Sequence, residues 1–165
     1  MALVTLLTGS NDADARRVLQ RTAEALVRRI GEQVAASQLY ESEPWGFTAE
    51  RGFVNQALQF NTALEPIEVL DAALGVEQEI GRRRDEELAE KMATGERYAS
   101  RVVDVDVMFY DDEIIDTPRL KVPHPLLHLR EFALEPLCEI MGHYRHPVLG
   151  RSLSELWAEL RIKSE

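Results

Sequence analysis

The sequence predicts an α+β sandwich, and two observations carry that reading. Strand-type alternation and helix-type apolar stripes follow one another in the order β-α-β-β-α-β, and the 165 residues contain no internal repeat, low-complexity tract or linker that would divide them. Two β-α-β halves with helices on one face of an antiparallel sheet correspond to a ferredoxin-like arrangement. Residues beyond the last strand add a hairpin and C-terminal helices, and the whole of 1–165 is expected to form one domain.

Each element has its own signal. Residues 2–8 are a short apolar run that stops at Gly9-Ser10-Asn11, a turn signal that also suits a helix cap. Val18, Leu19, Ala23, Leu26, Val27 and Ile30 then form one helical stripe, and Gly31 marks its end. Gln33 to Glu41 reads as a second strand, followed by a Pro- and Gly-punctuated loop through Ser42-Glu43-Pro44-Trp45-Gly46. Phe53 to Thr62 is the third strand, with Phe53, Asn55, Ala57 and Gln59 on one face and Val54, Gln56, Leu58 and Phe60 on the other.

Pro66 opens a second helix that is expected to run to Ile80, before Gly81. Its inward stripe reads Ile67, Leu70, Ala73, Leu74 and then Glu77, which sets a carboxylate among apolar neighbours. Residues 82–101 carry Arg82, Arg83, Arg84, Arg97 and Arg101 around an acidic, helix-prone centre, and the expectation is a mobile lid-like loop. A hairpin through Asp111-Asp112 to Ile114-Ile115, a constrained Val122-Pro123-His124-Pro125 turn, a helical face from Phe132 to Ile140 and a closing helix from Ser152 to Leu160 complete the chain.

Composition narrows the class of partner. The net charge of −10 disfavours a nucleic-acid coat, because phosphate backbones select basic surfaces, yet local arginine clusters still suit a small phosphorylated ligand. No apolar run reaches the length of a membrane span, and the N-terminal MALVTLLTG lacks the basic residues of a signal peptide, so a cytoplasmic location is expected. The lone Cys138 lies in an apolar helical pattern and reads as a buried structural thiol. A monomer is expected.

The chemistry centres on Val103 to Tyr110. Strict alternation puts Val103, Val105, Val107 and Phe109 on one face and Asp104, Asp106, Met108 and Tyr110 on the other. Two carboxylates roughly 6.5 to 7 Å apart on one strand repel unless a cation lies between them, and a hard divalent ion suits them. With the arginines and His124 in its Pro-His-Pro turn, they form a set fitted to phosphoryl transfer, in which carboxylates hold metals and guanidinium groups neutralise charge on the leaving group. A solvated strand bearing two aspartates, a nucleotide-binding module without turnover and a two-metal nuclease remain alternatives from the residues alone.

The ordered motifs Gly9-Ser10-Asn11, Tyr40 through Pro44 and Gly46, Phe53-Val54-Asn55, Glu77 with Gly81-Arg82-x-Arg84, Arg97-Tyr98-x-x-Arg101, Asp104-x-Asp106, Val122-Pro123-His124-Pro125, Arg130-x-Phe132 and Pro136-Leu137-x-Glu139-Ile140 resemble the 6-hydroxymethyl-7,8-dihydropterin pyrophosphokinase family of folate biosynthesis. The resemblance covers nearly the whole chain. It implies a ferredoxin-like fold and transfer of pyrophosphate from ATP to the pterin's hydroxymethyl group, with AMP released. It further implies that Asp104 and Asp106 bind two Mg2+ ions and that Arg82, Arg84, Arg97 and Arg101 contact phosphates. Arg82, Arg97 and Arg101 join the aspartates as the catalytic set. Glu77, Arg119, His124 and Arg130 line the ATP side, Glu77 by orienting the arginines or the metals. On the pterin side, Phe53 and Phe132 supply aromatic faces, Asn55 a paired donor and acceptor, Ser42 and Pro44 backbone groups at the rim, and Trp45 a cover. The chain departs from the family pattern in a longer, more acidic loop between Arg84 and Arg97, in Tyr98-Ala99-Ser100, and in Leu74 where a polar residue is common.

Overall fold

A computed structural model describes residues 1–42, 52–92 and 102–164, with the backbone alone for 82–92 and 164. Its centre is an antiparallel sheet in the order β2-β4-β1-β5, with the short β3 added against β4. The strands are β1 (Ala2–Ser10), β2 (Gly31–Ala36), β3 (Tyr40–Ser42), β4 (Phe53–Thr62) and β5 (Asp104–Tyr110). Helix α1 (Ala15–Arg29) connects β1 to β2, and α2 (Pro66–Met92) connects β4 to β5. A second ribbon, β6 (Ile115–Asp116) with β7 (Lys121–Val122), precedes a 3-10 turn at Leu127–Leu129, α3 (Glu131–Met141) and α4 (Leu153–Ser164).

Alternation along the strands gives the sheet two apolar faces, and each is covered. Val4, Leu6, Leu58, Phe60, Val105 and Val107 pack against Val18, Leu19, Leu26, Val69, Val76 and Ile80 of α1 and α2. On the opposite face, Leu7, Ala57, Met108 and Phe109 meet Leu127, Leu134, Leu137, Leu153 and Leu156. The sequence leads one to expect helices on one face; the C-terminal helices instead cover the other, because that face is also apolar over half its length. Gly31 starts β2 at φ 151°, where a Cβ would lie 2.0 Å from the Asn61 carbonyl oxygen, so this sharp exit from α1 requires glycine.

Several expected elements shift. Gln33 to Glu41 is two strands, β2 and β3, that pair with successive parts of β4. Helix α2 runs through Gly81 to Met92, so residues 82–92 are helix and not loop. One interior glycine costs only about 1 kcal/mol, which the helix formers Glu86, Glu87, Leu88, Ala89 and Lys91 offset. The buried stripe of α2 is Val69, Ala73, Val76 and Ile80, which leaves Ile67 and Leu74 about 40% exposed and Glu77 on the flank. Ile115 and Asp116 pair with β7 and not back onto β5.

The most consequential shift lies in β5. Thr5 faces Phe109 while the adjacent Leu6 faces Val107, so Met108 is an extra residue, a β-bulge. Phe109 therefore joins the α3 side and Tyr110 the α1–α2 side, the reverse of strict alternation. The Met108 carbonyl is then free to accept the His124 N–H at 3.0 Å, which docks the Pro-His-Pro turn on the sheet edge.

Candidate active site

The α3-facing side of the sheet is apolar at one end and polar at the other. Register places Asn55, Gly9 and Asp104 in one row across β4, β1 and β5, and Ala57, Leu7 and Asp106 in the next. Apart from the fully buried Ala57, these rows floor a cavity of about 450 Å³ whose lining also includes Ser42, Phe53, Arg130 and Phe132. Both aspartates are half-buried on the cavity face while Val105 between them faces the core. Their exposed edge is braced from behind, since Glu77 accepts the Val105 N–H at 2.7 Å.

The 3-10 turn and the start of α3 form the cavity wall. Arg130 has an extended backbone (φ −120°, ψ 110°), and its carbonyl accepts the N–H groups of Ala133 and Leu134 as α3 begins. Its guanidinium lies 5.5 Å from the centre of the Phe132 ring, a cation–π contact that holds charge at the rim beside an aromatic face. His124 accepts the Leu126 N–H at Nδ1 (3.1 Å), so its proton sits on Nε2. Burial pushes its pKa below the ordinary value, opposed by Asp106 and reinforced by Arg130.

The motif residues outside the cavity tie its walls together. Ser10 Oγ donates to the Val102 carbonyl at 2.6 Å and accepts the Asp12 N–H, so the Gly9-Ser10-Asn11 stretch locks the end of β1 to the start of β5. Tyr40 donates to Glu139 at 2.6 Å, linking β3 to α3, and this bond is the main cause of a phenol pKa pushed up to about 12. Glu139 also accepts the Gln38 N–H.

The sequence pattern of the 7,8-dihydro-6-hydroxymethylpterin-pyrophosphokinase family matches residues 5–142. The chain belongs to this family. Enzymes named 2-amino-4-hydroxy-6-hydroxymethyldihydropteridine pyrophosphokinase are similar to it, two of them along 90% or more of their own length. The one from Aquifex aeolicus is 36% identical over 163 residues, 99% of this chain and 95% of that protein. The one from Pseudomonas aeruginosa is 36% identical over 156 residues, 94% of this chain and 90% of that protein. The fold resembles the solved Plasmodium falciparum HPPK-DHPS wild type with pteroate, at a TM-score of 0.75 and 14% identity over 99% of this chain. This chain spans 45% of that one, under half its length.

Of the residues expected at a pyrophosphokinase site, Ser42, Phe53, Asn55, Asp104, Asp106, Arg130 and Phe132 line one cavity. Arg82 and Arg84 lie in the distal part of α2, where the backbone alone is described. Pro44, Trp45, Arg97 and Arg101 lie outside the described residues. Glu77, Arg119 and His124 are not among the cavity residues. Glu77 is engaged with the β5 backbone, and Arg119 pairs with Asp71 of α2 at 2.5 Å on the surface. Leu7, Gly9, Leu126 and Leu129 line the cavity without having been assigned to the site by sequence. Gly9 had a signal, because a glycine ending an apolar strand also marks close approach, but it reads equally as a turn. Leu126 and Leu129, apolar residues that no strand or helix period absorbs, offered a weaker one.

Proposed function

We propose that this chain transfers the pyrophosphoryl group of ATP to the hydroxymethyl oxygen of 6-hydroxymethyl-7,8-dihydropterin, giving the pterin diphosphate and AMP, in folate biosynthesis. The observation that carries this reading is the single cavity in which Asp104 and Asp106 stand across Gly9 from the amide Asn55, with the aromatic rings of Phe53 and Phe132 on its walls. Its two ends differ in chemistry as the two substrates do. Oxygen donors and a guanidinium face the phosphates, and flat apolar faces with one amide face the heterocycle.

Magnesium fits the carboxylate end. Among the described residues no cluster of three or more metal-type side chains occurs, so Asp104 and Asp106 supply only part of an oxygen shell. That is the donor set Mg2+ takes, one or two carboxylates with the remainder from phosphates and water. We assign two ions, which Asp104 and Asp106 would hold and which would supply positive charge at the phosphates and a lowered pKa for the attacking hydroxyl.

The reaction is in-line attack of the hydroxymethyl oxygen on the β-phosphorus. The new O–P bond forms as the bond to the α-phosphate's bridging oxygen breaks, AMP departs with that oxygen, and the hydroxyl proton passes to solvent. Phe53, Phe132 and Asn55 hold the ring, with backbone groups of Ser42 and Pro44 at the rim and Trp45 over it. Arg130, with Arg82, Arg84, Arg97 and Arg101, neutralises charge on the phosphates, and neutral His124 offers its Nε2–H to the nucleotide. Arg119 reaches the nucleotide by leaving Asp71, and Glu77 acts through β5 by holding Val105 between the two metal-binding positions. Rate acceleration rests on positioning and charge neutralisation, with no strong general base.

The strand order β2-β4-β1-β5 with its two crossover helices supports the ferredoxin-like reading, and we assign 1–165 to one pyrophosphokinase domain acting as a cytoplasmic monomer. Incubation with ATP, Mg2+ and the hydroxymethyl dihydropterin tests the function. Stoichiometric AMP and pterin diphosphate are expected, and binding of ATP without AMP release would leave a nucleotide-binding module instead.

A further inference from the structure

We propose that Ser42 and Gly9 decide which way round the heterocycle lies in the cavity, by fixing the direction of the Asn55 amide; the inference rests on the cavity being the pterin site. Asn55 is 4% exposed, and its Nδ2 donates to Ser42 Oγ at 3.3 Å. Ser42 Oγ donates in turn to the Phe53 carbonyl at 3.4 Å. A hydroxyl has one hydrogen, and this one is committed to a carbonyl that can only accept. Ser42 therefore meets Asn55 with a lone pair, and the amide must present its NH2 end to β3. Its oxygen is turned the other way, over β1.

Over β1 the oxygen finds room because residue 9 is glycine. A Cβ at that position would sit 2.6 Å from Asn55 Oδ1, well inside contact distance. Among the described residues Oδ1 takes no hydrogen bond, so it and the second Nδ2 hydrogen are left to a ligand. Asn55 thus offers an acceptor toward Gly9 and a donor toward Ser42. A ring edge with an N–H beside a carbonyl, as in the lactam of a pterin, matches that pair in one of its two flips.

The direction matters because Gly9 lies in register with Asp104 as well as with Asn55. The acceptor end of the amide is the end toward the carboxylates, so the flip it selects sets which ring substituent faces the phosphates. Ser42 and Gly9 are positioning residues in this scheme and touch no reacting atom.

The test compares the wild-type chain with Ser42→Ala, Ser42→Thr and Gly9→Ala in steady-state AMP formation. In parallel, binding of the pterin and of its lactam-N-methylated analogue is titrated in the presence of Mg2+ and a non-hydrolysable ATP analogue. Ser42→Ala should raise the pterin KM about tenfold with a smaller change in kcat, the scale of one hydrogen bond to an oriented buried group. Its preference for the pterin over the methylated analogue should fall, and Ser42→Thr, which keeps the hydroxyl, should restore both. Gly9→Ala should act in the same direction and more strongly, with affinity for the ATP analogue unchanged. Ser42 lies half-buried on the three-residue strand β3, so its alanine variant carries the test where Gly9→Ala fails to fold. A Ser42→Ala enzyme with wild-type pterin KM and undiminished discrimination overturns the inference. A wild-type chain that yields no AMP and binds no pterin removes the functional reading, and the inference with it.

Discussion

The two faces of the central sheet are made from the same five strands and do different work. On the α1–α2 face the apolar side chains form one continuous cluster, with Val4, Leu6 and Phe60 fully buried. On the α3–α4 face only one end is closed, by Leu7, Ala57, Met108 and Phe109 against α3 and α4; at the other end Asn55, Gly9, Asp104 and Asp106 face a cavity. Because neighbouring residues on a strand point to opposite faces, Val105 and Asp106 are one bond apart in sequence and belong to separate systems. Polar groups that would destabilise a core are gathered where the core stops.

The sharpest test of this division is to remove a group from each face. Asp106→Ala should lower turnover by roughly 1,000-fold or more, the scale of losing a charge-organising group in a sheltered site. Its unfolding free energy should stay within about 0.5 kcal/mol of wild type. An Asp106→Ala protein that remains active and indifferent to magnesium would remove the metal assignment. Phe60→Ala should do the opposite, costing about 3–5 kcal/mol in denaturant unfolding while the remaining folded enzyme keeps its KM values.

Glu77 joins the two systems, since it sits on the flank of α2 and holds the β5 backbone between the aspartates. Glu77→Ala should cost about 1–3 kcal/mol, because a backbone N–H at the sheet edge loses its acceptor. Glu77→Gln retains an acceptor and should recover most of that stability. Activity that stays low in the glutamine variant would show that the charge, and not the bond to Val105, is what catalysis needs.

A pH test addresses the closed end of the α3–α4 face. His146 is buried against Phe109 and accepts the N–H groups of Val148 and Leu149 at Nδ1, and burial, with His128 nearby, pushes its pKa below the ordinary 6.5. A lowered folded-state pKa means that the unfolded chain takes up the proton first. The stabilisation is therefore complete above the unfolded value and is lost as pH falls from there through the folded value. Thermal midpoints should decline as pH falls below about 7, and His146→Gln should flatten that part of the decline; His124, lowered in the same direction, contributes a separate share. The smallest expected effect is at Gly81, where a Cβ would meet nothing within 4 Å. Gly81→Ala should stabilise α2 by up to about 1 kcal/mol, read from the unfolding midpoint.

Much of this division is legible in the residues. The faces of Phe53 to Thr62 follow from alternation, which by itself separates Asn55 and Phe53 from Leu58 and Phe60. Asp104 and Asp106 were likewise placed together. What alternation missed was decided by tertiary contact. The inward stripe of α2 was displaced to Val69, Ala73, Val76 and Ile80 because several apolar periods overlap in that helix and only packing selects among them. The extension of α2 past Gly81 shows local propensity outweighing one helix breaker. Arg119 and Glu77 had partners, Asp71 and the Val105 N–H, that are distant in sequence and carry no local signature. The run Met108-Phe109-Tyr110, three large apolar residues after a strict Val-Asp alternation, was the trace that the bulge left.

That extra residue is a change of parity. Up to Val107 odd positions of β5 belong to the α1–α2 face, and from Phe109 onward they belong to the other. Both halves of the strand thereby send what they have to the same side: carboxylates first, then the Phe109 ring, which meets Tyr144 edge-on at 4.8 Å and plugs the far end. Straightening the bulge with Met108 drawn into the ladder would rewrite the second half of the strand, swinging Phe109 toward α2 and Tyr110 under α3, whereas deleting Met108 would leave both rings on their present faces and remove only the carbonyl that anchors the His124 turn. The bulge thus lets this run of residues serve as a carboxylate-bearing edge and as a stopper, two tasks that uninterrupted alternation of the same residues would have sent to opposite sides of the molecule.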